Sequence, residues 1–240
     1  MNAMDFSANH QFLEIVPHQM WIYNTPFRFL GVNIGARMTV IRLERGGLFL
    51  HSPVEWTEDI KKGLNSLGPV LFIVSPNHMH HLFMADYQEV YPEVRLYASP
   101  GLREKRKDIK FFGILQDKAE EAWQSELDQM IFYGHPLSQE VIFYHFKSRT
   151  LLLADLMMNF DTKKSLLTKI VTKTLGIYGG PVFPVASQLS LTEQAEAKIS
   201  AKRILQWHFE RIILSHGNII ENNGKEAFQQ AFGGLLEKEN

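Results

Sequence analysis

Cysteine is absent from the 240 residues. That excludes a disulfide-stapled fold, a thiolate nucleophile and a cysteine-built zinc site, so any metal must be held by His, Asp or Glu. Charge of one sign is not in excess either: 25 basic against 26 acidic residues leave a formal net charge of −1. On that balance no nucleic acid and no membrane partner is expected, because both call for a broad basic face. Long hydrophobic runs are missing, and no window approaches the roughly 20 apolar residues of a membrane span. Residues 1–10 show no basic region leading into an apolar one, which makes a cytoplasmic location the default expectation. Repeats, low-complexity tracts and interdomain linkers are lacking as well, so residues 1–240 are expected to form one domain.

What is present is an ordinary globular composition, 45% hydrophobic and 21% charged, with ten histidines. The most informative stretch is Val70–Phe83. Val70-Leu71-Phe72-Ile73-Val74 reads as a short strand buried on both faces, and Ser75-Pro76-Asn77 breaks it. His78, His80 and His81 follow at once. Imidazoles leaving the end of a rigid strand are held at little entropic cost and suit zinc or iron. The plain alternative is a polar loop that happens to be rich in histidine.

Further strands are expected over Arg37–Leu43 and Gly47–Pro53, joined by a turn at Glu44-Arg45-Gly46, with residues 1–20 irregular. Thr57 is the expected N-cap of a helix over Glu58–Ser66, stopped by Gly68-Pro69. Later helices are expected over Lys163–Leu175, Thr192–His208 and Lys225–Leu236. Arg37, Arg103 and Arg149 receive no role, since lone arginines are usually solvated.

Four apolar strands each end on a potential ligand. Val70–Val74 runs into His78, His80 and His81; Met130–Tyr133 into His135; Thr150–Ala154 into Asp155; Arg211–Leu214 into His216. Each has a structural reading on its own: His135 in a turn, Asp155 as a cap, His216 closing a strand. Strand ends along one edge of a sheet converge in space, however, and α/β folds place their sites there. Together the four predict a metal centre.

On these residues the chain resembles the metallo-β-lactamase fold superfamily, in one of its DUF4336-type branches. The resemblance is carried by Pro76-Asn77-His78-Met79-His80-His81, Gly134-His135, Ala154-Asp155 and Ser215-His216-Gly217. It implies an α/β (α+β) fold built as a four-layer αββα sandwich, with the metal site along one edge between two mixed sheets. With His81 taken as the last residue of the loop motif, Pro76 stands at the first His position and His80 at the Asp position. The implied ligands of one metal are then His78 and His135, and those of the other His80, His81 and His216, with Asp155 shared. His51, where the pattern has Asp-Thr-Gly, is expected to support the site or to supply the ligand that Pro76 cannot.

The activity so implied is that of a metal-dependent hydrolase with one or two zinc ions, acting on a small-molecule ester, thioester or lactone, with His80 and Asp155 as the catalytic pair. The loss of the motif carboxylate leaves two alternatives: a non-haem iron oxidoreductase, or a metal-binding protein without turnover. Residues 156–190, with Met157-Met158, Tyr178, Gly179-Gly180 and Phe183, read either as an apolar lid or as an ordinary packing layer.

Overall fold

Alternation along the strands sets the architecture. In the computed structural model, which describes residues 11–29, 31–134, 139–160, 173–174 and 176–237, the chain forms β1 (Phe12–Val16), β2 (Met20–Thr25), β3 (Arg28–Phe29), β4 (Val32–Asn33), β5 (Ala36–Arg42), β6 (Leu48–His51) and α1 (Glu58–Leu67). It continues as β7 (Val70–Val74), α2 (Met84–Val90), β8 (Arg95–Ala98), α3 (Leu102–Lys105), β9 (Gly113–Ile114), β10 (Leu127–Ile131), β11 (Val141–His145) and β12 (Thr150–Leu153). Last come β13 (Met158–Phe160), β14 (Gly180–Val182), α4 (Val185–Leu189), α5 (Gln194–Ile204), β15 (Arg211–Leu214) and α6 (Gly224–Leu236).

Two sheets carry the fold. One has the order β1-β2-β5-β6-β7-β8-β9, antiparallel as far as β6 and parallel beyond it. The other has the order β10-β11-β12-β15, with only β12 and β15 parallel. Phe49, Phe72, Val74 and Trp123 from the first half meet Phe143, Leu152 and Ile213 from the second in the core between the sheets. The alternate residues Leu48, Leu50 and Ile73 turn outward to α1 and α2, while Leu151, Leu153 and Leu214 turn outward to α5 and α6. Both sheets are therefore buried on both faces, which explains their near-continuous apolar strands. The expected αββα sandwich of mixed sheets is what forms.

Local signals in the sequence account for several elements. The Thr57 side chain accepts from Ile60 N at 3.2 Å, and Gly68 ends α1. The turn at 44–46 joins antiparallel β5 and β6. One expectation is corrected: residues 12–16, taken as irregular, are an edge strand on β2. Phe12 packs against Tyr23, the rings tilted with centroids 5.0 Å apart, and fills the space left by Gly63 of α1, a long-range contact. The helix expected over Lys163–Leu175 lies, apart from residues 173 and 174, outside the described residues.

His145 closes β11 buried, with Nδ1 2.7 Å from Ser148 Oγ. Burial, helped by Lys147, lowers its pKa to about 4. Below its unfolded value near 6.5 the unfolded chain binds a proton that the folded chain refuses, so stability falls as pH drops through that window. At about 1.4 kcal/mol per pKa unit the loss reaches about 3 kcal/mol near pH 4. Urea midpoints between pH 7.5 and 4.5 are expected to fall less steeply for His145→Gln than for the parent. Equal slopes would show that His145 does not carry the effect.

Candidate metal centre

Three strands deliver the group that matters. The 75–81 loop leaves β7, Asp155 follows β12 and His216 follows β15, and the parallel pairing of β12 with β15 puts the last two side by side. Asp155 sits between two imidazoles: Oδ2 is 3.0 Å from His80 Nε2, and Oδ1 is 3.5 Å from His216 Nε2. The candidate ligand atoms of His80, Asp155 and His216 all lie within 4.8 Å of one another.

The surroundings fix how these groups present themselves. His216 Nδ1 lies against the Gly35 carbonyl, which can only accept, so Nδ1 carries the hydrogen and Nε2 offers a lone pair toward the site. His80 Nδ1 lies against Ser52 Oγ, and Ser52 is held at φ 58° just beyond β6. That left-handed conformation is uncommon for serine and is the kind of backbone strain found at functional sites. Gly217 has φ 76°, and a Cβ there would stand 2.4 Å from the Asn159 carbonyl, so the turn after His216 requires glycine.

Charge follows the geometry. Burial opposes ionisation of Asp155, but the charge and hydrogen bond of His80, with His216 and Asn77, outweigh it and hold the carboxyl well below its usual range. Burial likewise opposes the His80 imidazolium, and Asp155, helped by Glu140, overcomes it to give a net upward shift. His216 moves down, burial being the larger influence.

The other residues read from the sequence are placed as follows. His78 points away, its Nε2 against the Pro100 carbonyl across the gap left by Gly101. His81 is buried with Nδ1 accepting from the Arg106 guanidinium at 2.7 Å, and burial together with Lys105 and Arg106 lowers its pKa to about 4. His51 lies between the sheets with its ring edge-on to Phe143, 5.6 Å between centroids. Its Nε2 has no hydrogen-bond partner among the described residues, and burial keeps it neutral. His135 is outside the described residues. Among the described residues, then, the structure brings His80, Asp155 and His216 together as one three-ligand group, while His78 and His81 face other partners.

Residues given no role in the sequence support this group. Asn77, fully buried, donates through Nδ2 to Asp155 Oδ2 at 2.9 Å and to Glu140 Oε2 at 3.0 Å. Glu140 also accepts from the main-chain N–H groups of Ala154, Asp155 and Leu156 at 2.8, 2.7 and 3.1 Å, so it holds the turn that carries Asp155. Burial, then the charge of Asp155, pushes its carboxyl up, against the pull of those N–H groups. Arg37, expected to be solvated, is fully buried and donates to the Leu214 carbonyl at 2.5 Å and to Asn24 Oδ1 at 2.8 Å, bracing the end of β15 two residues before His216. Glu140 and Arg37 looked ordinary because a polar residue at a strand end is usually exposed; the one available signal was their place beside long apolar runs.

The family model described as "Domain of unknown function (DUF4336)" matches residues 17–179. The chain belongs to the DUF4336 family. Solved structures similar to this DUF4336 protein carry the metallo-β-lactamase fold. A metallo-β-lactamase from Erythrobacter litoralis superposes with TM-score 0.67 at 12% identity, covering 99% of this chain and 100% of that one. The enzyme from Pontibacter korlensis gives 0.66 at 13%, covering 95% and 99%. FIM-1 from Pseudomonas aeruginosa, in its mono-zinc form, gives 0.65 at 10%, covering 95% and 96%. At such identities the likeness establishes the fold alone. No curated protein matches the chain. Among the described residues of the DUF4336 protein, no helix is long and apolar enough to cross a membrane.

Proposed function

We propose that this DUF4336 protein is a metal-dependent hydrolase of small acyl compounds, its metal held by His80, Asp155 and His216. The observation that carries the reading is that compact group itself, an ionised carboxylate between two imidazoles at the wall of a pocket. The donor chemistry fits a divalent ion. The His216 tautomer leaves Nε2 bare, Asp155 is held as the anion, and His216 is buried while Asp155 is half-buried. A divalent metal bound there would supply Lewis acidity toward a carbonyl oxygen and toward water. The chain does the rest. Asn77 and Glu140 fix Asp155, the Gly35 carbonyl and Arg37 fix His216, and Ser52 gives His80 a second proton-exchanging partner on the far side of its ring.

The same donor set favours a second reading. Two imidazoles and one carboxylate are the ligands of non-haem iron in oxygen chemistry. Elemental analysis of protein purified without chelator, with an ester and thioester screen, separates the two. About one zinc per chain, with turnover lost on chelation and restored by zinc, is the expected result. Iron in its place would move the assignment to the second reading. Failure to take up any metal on reconstitution would leave a fold without its chemistry.

A further inference from the structure

Beside the His80–Asp155–His216 group lies a cavity of about 300 Å³. Its polar residues are Ser52, His80, Asp155, Ser187 and His216, and among the described residues neither lysine nor arginine lines it. The remaining wall is apolar, and much of it is not part of the two main sheets. Ile34, Phe160 and Ile177 belong to a small separate cluster that joins the β3–β4 ribbon to the β13–β14 ribbon, with Phe27 and Met158 packed against it. Phe29, Met79 and Leu82 edge the same cavity and stay 45–59% exposed, so the apolar lining extends to its mouth. The nearby cation Arg37 faces the other way, hydrogen-bonded to Leu214 and Asn24.

Such a wall selects. A carboxylate or phosphate at the far end of the chain, away from the His80–Asp155–His216 group, would lose its water without gaining a cationic partner among the described residues. An alkyl or aryl group loses nothing polar and gains about fourfold in affinity for each methylene buried. At about 30 Å³ for each water-sized group, the cavity holds roughly ten non-hydrogen atoms.

Resting on the hydrolase reading above, we propose that the substrate is an acyl compound with an uncharged, apolar chain, chain and carbonyl group together making up roughly ten non-hydrogen atoms, carried in the cavity with the carbonyl beside Asp155. Acyl compounds of the same length whose far end is anionic are disfavoured.

The test uses primary amides as inert probes and the full-length chain, with and without added zinc. Butanamide, hexanamide, octanamide and decanamide are titrated by calorimetry beside succinamate, which replaces the chain end by a carboxylate. Affinity is expected to rise about fourfold per methylene as far as octanamide and then level off. Succinamate is expected to bind at least tenfold more weakly than hexanamide. Ile177→Trp, which narrows the cavity, is expected to flatten the ramp, while Ile34→Lys is expected to narrow the gap between succinamate and hexanamide. Circular dichroism of both variants separates an altered pocket from a lost fold. Equal binding of succinamate and hexanamide, or a ramp that survives Ile177→Trp in a folded protein, would overturn the proposal. The ramp read on metal-free protein does not depend on turnover. Its loss with ester hydrolysis intact would remove the proposed specificity alone, and a ramp without metal or hydrolysis would remove the hydrolase alone.

Discussion

Replacing His216 by alanine is expected to cost the protein its metal, lowering affinity by roughly a hundredfold or more, since even the groups that merely support a ligand are worth 10–100-fold. His216 offers a bare Nε2 because the Gly35 carbonyl holds the hydrogen on the other ring nitrogen. With His216 gone, Asp155 and His80 remain as a two-residue remnant already joined at 3.0 Å. The informative companion is His81→Ala. His81 stands in the loop motif, yet its Nδ1 faces Arg106, outside the His80–Asp155–His216 group. Competition against a colorimetric chelator should therefore show metal lost in His216→Ala and largely kept in His81→Ala. Equal loss in both would mean that the ligand set reaches beyond these three residues, and would return His81 to the role its place in the motif implies.

The largest effect on stability is expected at Glu140. Its carboxylate accepts from three successive main-chain N–H groups, Ala154 to Leu156, as well as from Asn77. Glu140→Ala leaves the three N–H groups buried without an acceptor, while Asn77 keeps Asp155. At about 1–3 kcal/mol for each orphaned donor, with some recovery from water entering the space, the loss is about 3–6 kcal/mol. That is a large share of the roughly 5–15 kcal/mol a domain has in total. For a chain of this length the melting temperature is expected to fall by roughly 10 °C or more. Glu140→Gln keeps one acceptor oxygen but turns an amide N–H₂ toward donors, and should lose about half as much. If Glu140→Ala melted within a degree or two of the parent, the carboxylate would not be what holds the turn bearing Asp155. Thermal melts in chelator isolate this from any contribution of bound metal.

Much of this protein was legible from pattern. Val70–Val74, Thr150–Leu153 and Arg211–Leu214 announce themselves as buried strands because nearly every residue is apolar and packs on one side or the other of its sheet. Thr57 and Gly68 marked the ends of α1 through side-chain capping and chain reversal, both short-range effects. Residues 12–16 escaped notice because what makes them a strand is the edge of β2 and the surface of α1, and neither is local.

The site divides along the same line. That His80, Asp155 and His216 end separate strands is a property of the chain, and topology alone brings such ends to one edge. Which of His78, His80 and His81 turns inward is not. The three differ by one or two positions in a loop, and the choice depends on what waits across the gap: Pro100 for His78, Arg106 for His81, Asp155 and Ser52 for His80. The same holds for Glu140 and Arg37, polar residues that belong inside only because main-chain donors and a carbonyl far away in sequence need partners. Residue type and periodicity settle what a segment can bury and which groups are able to bind a metal. The direction of a side chain is settled by hydrogen-bond satisfaction across the fold, where a single alternative partner outweighs any local preference.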